Sequence, residues 1–126
     1  MAKSDWLSTV RRVDKPWGHE EHFALVAGRY CGKTLHIRAG QALSLQYHEV
    51  KEETVCVQSG RLLFHVGKDQ AALDEFELLP GEAVHLSPGM IHRMTAIEDT
   101  VVLEASTTEL WDVIRLEDRY GRSAGG

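Results

Sequence analysis

The chain has 126 residues, 43% of them hydrophobic and 26% charged, with 14 basic against 19 acidic side chains and a formal net charge of −5. That length and balance fit one globular domain with a single core. The acidic excess and the lack of any basic run argue against nucleic acid or an anionic membrane as a partner. No apolar stretch reaches the roughly 18 residues that span a bilayer, and the N-terminal residues show no export signal, so a cytoplasmic protein is expected. Cys31 and Cys56 are too few for a disulfide framework, and Cys56, between Val55 and Val57, reads as a small apolar side chain in a strand.

Residues 1–14 read as an N-terminal arm and 123–126 as a flexible tail. Between them the chain reads as short strands over 20–26, 33–38, 42–48, 54–58, 61–66, 75–79, 82–86, 92–97 and 100–105, each rich in Val, Leu, Ile, Phe or Thr. Turn formers separate them, among them Ala39-Gly40, Ser59-Gly60, Pro80-Gly81 and Pro88-Gly89. The segment from Thr108 to Leu116 fits either a short helix capped by Thr108 or an edge strand. Many short strands with frequent turns predict an all-β sandwich or barrel. Trp17, after Pro16, is expected to plug a barrel end rather than to stack on a ligand.

Strand alternation places Ala42, Ser44, Gln46 and His48 on one face and Leu43, Leu45 and Tyr47 on the other. Glu53 shares a face with Val55 and Val57, and Lys33 with Leu35 and Ile37. Gln46 and His48 therefore project together, Glu53 can join them from the next strand of the hairpin, and His92 follows the Ser87-Pro88-Gly89 turn. One amide oxygen, two imidazoles and a carboxylate at one barrel mouth suit a divalent ion, Zn first, with Mn, Fe, Co or Ni as alternatives.

The stretch Gly40-x5-Gln46-x-His48-x4-Glu53-x6-Gly60 resembles the first cupin motif, with Gln46 in place of its first histidine. Gly81-x7-Gly89-x2-His92 resembles the second, apart from a shifted Pro88 and Ala96 where an Asn often stands. Lys15-Pro16-Trp17-Gly18, Lys33, Ser44-Leu45-Gln46 with His48, His92-Arg93, and Arg115 to Arg122 resemble the C-terminal isomerase domain of type II mannose-6-phosphate isomerases, in which Gln-x-His is usual. The likeness runs from about Lys15 to Arg122. It departs at Glu49-Val-Lys-Glu52, where the family has a His-rich segment containing an arginine.

The resemblance implies a cupin jelly-roll barrel, the double-stranded β-helix, with Gln46, His48, Glu53 and His92 as metal ligands. The implied activity is aldose–ketose interconversion of a sugar or sugar phosphate by a homodimer. Glu104 stands where the family has a glutamate in its last barrel strand, as a general base or else a solvated strand residue. Lys33 enters the pocket or snorkels from a barrel end. Arg122 holds a phosphate or carboxylate, or forms a salt bridge to Asp118. His19, His22, His36, His65 and His85 lack ligand spacing and read as structural. The rival readings are another metal-dependent cupin enzyme (dioxygenase, lyase or epimerase) and a non-catalytic metal- or carbohydrate-binding cupin.

Overall fold

The computed structural model describes residues 1–122, so the tail expected over 123–126 lies outside the described residues. A short 3-10 turn at Lys3–Asp5 precedes eleven strands. They are β1 (Arg11–Lys15), β2 (Gly18–Val26), β3 (Tyr30–Ile37), β4 (Leu45–Tyr47), β5 (Glu53–Ser59) and β6 (Leu62–Gly67). β7 (Asp74–Leu78), β8 (Ala83–Leu86), β9 (Ile91–Ala96), β10 (Thr100–Ser106) and β11 (Ile114–Glu117) complete the chain. One sheet has the order β1-β2-β3-β10-β5-β8 and the other β11-β4-β9-β6-β7, all neighbours antiparallel. This is the jelly-roll barrel expected of a cupin. Among the described residues no helix is long and apolar enough to cross a membrane.

The inner faces run from charged to apolar along several strands. Lys33, Leu35 and Ile37 of β3, Glu53, Val55 and Val57 of β5, and Glu104 and Val102 of β10 are all buried on alternating positions. The register sets Glu104 opposite Lys33 on one side and Val55 on the other. The polar side chains therefore gather towards one end of the barrel. The apolar ones meet Leu62, Phe64, Met94 and Ala96 of the facing sheet in the core. Burying each large aliphatic or aromatic side chain is worth about 1.5–3 kcal/mol, so the apolar end supplies the cohesion that lets the polar end exist. Trp17, 1% exposed, belongs to that core and also lines the cavity beside it, in keeping with a plug.

Two glycines are required by close approach. A Cβ on Gly60, which has φ +89°, would lie 2.3 Å from the Asp99 carbonyl oxygen, and one on Gly18 would lie 1.8 Å from that of His36. Only glycine lets the Ser59-Gly60 turn and the start of β2 pack this closely.

Three expectations need correction. Residues 11–15 are not arm but β1, paired in register with β2 from Arg11↔His22 to Lys15↔Gly18. Their single apolar residue, Val13, hid the strand, because an edge strand can be mostly polar and still satisfy its backbone on one neighbour. The strand expected over 42–48 shrinks to Leu45–Tyr47, with Ala42 making an isolated bridge to Thr95. The alternation breaks with it, since Leu43 lines the same cavity as Gln46 and His48. Thr108 caps no helix; its hydroxyl accepts the Gly28 N–H at 3.0 Å, and the edge-strand alternative holds, as β11. Cys31 and Cys56 are both free thiols.

Candidate metal centre

His48 lies just past the end of β4, Glu53 opens β5, and His92 is the second residue of β9, where it pairs in register with Gln46. Glu53 Oε1 is 3.2 Å from His48 Nε2 and 3.3 Å from His92 Nε2, and all three residues are at most 4% exposed. Each imidazole is oriented through its other nitrogen. His48 Nδ1–H donates to the Asp112 carbonyl and His92 Nδ1–H to the Met90 carbonyl, at 2.5 and 3.0 Å. A carbonyl only accepts, so Nδ1 carries a proton in each ring, and each ring in its neutral, metal-binding form turns an Nε2 lone pair to the carboxylate.

Two lone pairs and a carboxylate oxygen turned on one another in a dry pocket repel unless a cation lies among them. Buried His92 Nε2 has no hydrogen-bond partner in the protein. Ligand atoms bound tetrahedrally at zinc–nitrogen distances stand about 3.3 Å apart, close to the spacings seen here. Both Nε2 atoms approach the same carboxylate oxygen, so the three ligand atoms gather round one point. These residues fit a divalent metal ion. Gln46 lines the same cavity; its Oε1 accepts the Ser44 hydroxyl at 2.6 Å and keeps a second lone pair for an ion or a ligand hydroxyl.

A second set, His19, Glu21 and His36, brings its ligand atoms together on half-buried ground. There the rings stack at 4.2 Å, His19 Nε2 and His36 Nε2 lie 3.4 and 3.9 Å from Glu21 Oε1, and His36 Nε2 also meets the Thr34 hydroxyl at 3.2 Å.

Behind the metal residues runs an alternating series of charges. Lys51 Nζ bridges Glu53 Oε2 at 3.1 Å and Glu104 Oε2 at 3.0 Å. Lys33 Nζ lies 4.0 Å from the same Glu104 oxygen and 3.3 Å from Glu20 Oε1, which also meets His22 Nε2 at 2.8 Å. Lys33 therefore enters the pocket, 7% exposed, and Glu104 is buried at 6%, not solvated. Burial, and then the charge of Glu53, push the Glu104 carboxyl above the usual carboxylate range, against the two lysines. Burial would depress the Lys51 ammonium, but Glu104 and Glu53 more than offset this and hold it above the ordinary lysine value. Arg122 forms the salt-bridge alternative: its Nε and Nη2 each donate to Asp118 at 3.0 Å. Those bonds hold the Asp118 carboxyl down to about 2.

Sequence reasoning missed Lys51, Glu20 and Asp112. The signal for Lys51 was its spacing two residues before Glu53, on the same side of an extended segment. Asp112 acts twice. Its carbonyl orients His48, and its carboxylate accepts the N–H groups of Glu49, Val50 and Lys51 at 3.1, 2.6 and 2.8 Å. Burial opposes ionisation, but those backbone donors outweigh it and hold the carboxyl below its usual 3.8. The folded form thus keeps this charge at a lower pH than the unfolded chain does. Its contribution is complete above about pH 4 and fades as pH falls further. Asp112→Asn should cost about 1–3 kcal/mol near neutral pH and lower metal affinity about ten- to a hundredfold. Urea unfolding at pH 3 and pH 7, with a chelator competition, checks both. A variant as stable and as tightly metallated as wild type would refute the positioning role.

The cavity these groups share is about 220 Å³ and is lined by Leu43, Met94, Trp17, Gln46 and the charged residues above. It lies below the roughly 300–1,000 Å³ of drug-sized sites, which suits a small polar metabolite.

Comparison with known proteins agrees with this geometry. The family model described as mannose-6-phosphate isomerase C-terminal matches residues 2–118. The mannose-1-phosphate guanylyltransferase ManC of Salmonella typhimurium is 35% identical over 117 residues, covering 89% of this chain and 23% of that protein. The xanthan biosynthesis protein XanB of Xanthomonas campestris is 28% identical, with 90% and 24% covered. The chain thus spans about a quarter of the length of the curated relatives it matches. Among solved structures, the capsular polysaccharide assembling protein CapF of Staphylococcus aureus superposes with a TM-score of 0.77 at 18% identity, over 94% of this chain and 34% of that one. The oxalate decarboxylase of Bacillus subtilis gives 0.71 at 13%, over 85% and 30%. At such identities these structures speak for the fold alone. The family match, over nearly all of a jelly roll whose two motifs meet at one buried His-Glu-His cluster, makes this chain a member of the mannose-6-phosphate isomerase C-terminal family on a cupin fold.

Proposed function

We propose that the chain is a metal-dependent isomerase of the mannose-6-phosphate isomerase type, interconverting an aldose and a ketose on a sugar phosphate. The observation that carries this reading is the buried cluster in which both imidazoles present Nε2 to Glu53 at the floor of a small polar cavity. Family membership supplies the reaction class, and the cavity supplies groups suited to it.

His48, Glu53 and His92, with Gln46, would hold the ion, which when bound supplies a Lewis acid beside the sugar carbonyl. Glu104 takes the proton from the carbon next to that carbonyl and returns it to the neighbouring carbon. Its raised pKa brings it nearer to the pH at which a base both accepts and releases a proton. Lys33 and Lys51 fix the carboxylate in place and keep positive charge where an oxyanion would develop. Leu43, Met94 and Trp17 keep the far wall apolar, which limits competing water.

Incubating the metal-loaded chain in deuterium oxide with hexose and pentose phosphates should introduce deuterium at the second sugar carbon. Glu104→Gln should slow this about 10²–10⁴-fold. No exchange with any sugar phosphate, at full metal occupancy, would sink the isomerase reading.

A further inference from the structure

The outer face of the six-stranded sheet carries a group of donors that the buried centre does not use. Glu20 of β2 and Leu35 and Ile37 of β3 are buried, so alternation leaves His19 and Glu21 of β2, with Thr34 and His36 of β3, on the opposite face. The register sets His19 directly across from His36 and Glu21 across from Thr34. Side chains opposed in this way have Cβ atoms about 4.5–5.5 Å apart, which brings two imidazoles within reach of one ion. Spacing along the chain gives no sign of this pairing, because it runs across the sheet.

Both imidazoles turn Nε2 towards one oxygen, Glu21 Oε1, at 3.4 and 3.9 Å. Those separations are long for hydrogen bonds. They approach the roughly 3.3 Å between two atoms bound tetrahedrally to one zinc ion. The ligand atoms of His19, Glu21 and His36 all lie within 4.8 Å of one another. The carboxylate is not engaged elsewhere: Arg12, opposite Glu21 on β1, is turned onto Asp14 at 3.0 Å. Among the described residues, His19 and His36 are the ionic partners that approach Glu21. The three side chains are 19%, 42% and 34% exposed in chain order, so an ion reaches them directly from solvent. His19 and His36 also border a surface cavity with Arg38 and Asp99, which leaves room for water to complete a coordination shell. Two imidazoles and a carboxylate suit a borderline divalent ion such as zinc, nickel or copper, whereas magnesium takes oxygen donors.

We propose that His19, Glu21 and His36 form a second divalent-metal site on the outer face of the barrel, separate from the His48–Glu53–His92 centre and weaker than it. The ion takes the place of the Thr34 hydroxyl at His36 Nε2, now 3.2 Å away. The weakness has a physical basis. His48 and His92 are each oriented by a backbone carbonyl, and among the described residues no carbonyl does the same for His19 or His36. Each missing orienting group costs about 10–100-fold in affinity, so the outer site should bind about a thousandfold more weakly. A trace of metal therefore fills the buried centre alone. The outer site is independent of the sugar-phosphate reading.

The test is calorimetric titration of the full chain with zinc chloride. Wild type should take up one tightly held equivalent and then a second, weaker one. His19→Gln or His36→Gln should weaken the second event more than tenfold, and the two together should abolish it, while the first event stays as in wild type. That retained tight event shows the variants to be folded. His48→Ala with His92→Ala should do the reverse, removing the first event and leaving the second. Glu21→Gln should weaken the second about tenfold, and magnesium chloride should give no event that depends on His19 and His36. Absence of a second event at millimolar zinc would overturn the site. So would a second event that survives loss of both His19 and His36, or one that disappears with His48 and His92. None of these readings requires turnover, so a failed isomerisation assay would leave the result standing.

Discussion

Replacing His48 and His92 together by alanine should reduce divalent metal from about one ion per chain to background, measured by elemental analysis after dialysis against a trace of the metal. Each imidazole is held by a backbone carbonyl that turns its Nε2 to Glu53, and the double replacement removes both nitrogen donors of the cluster. Loss of groups that merely orient metal ligands costs about 10–100-fold in affinity, and loss of two ligands should exceed that. Metal should in turn stabilise the wild-type chain, because an ion among Glu53 Oε1 and the two Nε2 atoms relieves acceptor-against-acceptor repulsion. At an ion concentration 100 times Kd this linkage amounts to about 2.7 kcal/mol. The double variant should show no metal-dependent shift in melting. Equal metal occupancy in the variant and wild type would remove the centre on which the proposed function stands.

The candidate metal ligands were legible because their signal is local: a two-residue step on a strand, a hairpin and a turn, each with its own spacing rule. His48, Glu53 and His92 come together in one buried cluster, and Gln46 pairs in register with His92 and lines the cavity that His48 and Glu53 also line. The alternation 33–35–37 and 53–55–57 likewise placed Lys33 and Glu53 inside, as found. What sequence could not reveal depends on non-local pairing. β1 exists because β2 satisfies its backbone, not because Arg-Arg-Val-Asp-Lys favours a strand. β4 shortens because residues 41–44 bond in part to the 94–96 segment through Leu43 N to Met94 O and Ala96 N to Gln41 O, so alternation stops at Leu45. The role of Asp112 needs a contact between residues about sixty positions apart, which no spacing rule reaches. Arg122 had two open readings, and the choice fell to Asp118 because a carboxylate four residues away in a turn matches both guanidinium donors.

Both sets of cations in the cavity follow from this division. Inner-face parity turns Lys33 towards Glu104 and Glu20, so its charge is neutralised within the protein. Parity on β1 turns Arg11 and Lys15 towards the same cavity, where Glu20 acts on Lys15.

Lys51→Met should be the most destabilising single substitution in the site, by about 3–5 kcal/mol in the metal-free chain. Lys51 is 5% exposed and stands between two carboxylates that are themselves 4% and 6% exposed. Methionine matches its apolar stem but removes the charge, leaving Glu53 and Glu104 buried with no ammonium between them. Glu53 still has two imidazoles, whereas Glu104 keeps only Lys33 at 4.0 Å, so most of the penalty should fall on Glu104. Two consequences separate this account from lost packing. Adding Glu104→Gln should recover about half or more of the loss, a coupling energy in the 0.5–3 kcal/mol range seen for residues in one network. Saturating metal should also shrink the loss, because the ion compensates Glu53 from its other side, and Lys51→Arg should fold with smaller loss than the methionine variant. Urea unfolding of wild type, Lys51→Met, Glu104→Gln, the double variant and Lys51→Arg, with and without metal, gives all of these terms. If the double variant is no more stable than Lys51→Met, the carboxylates were not what Lys51 was holding apart.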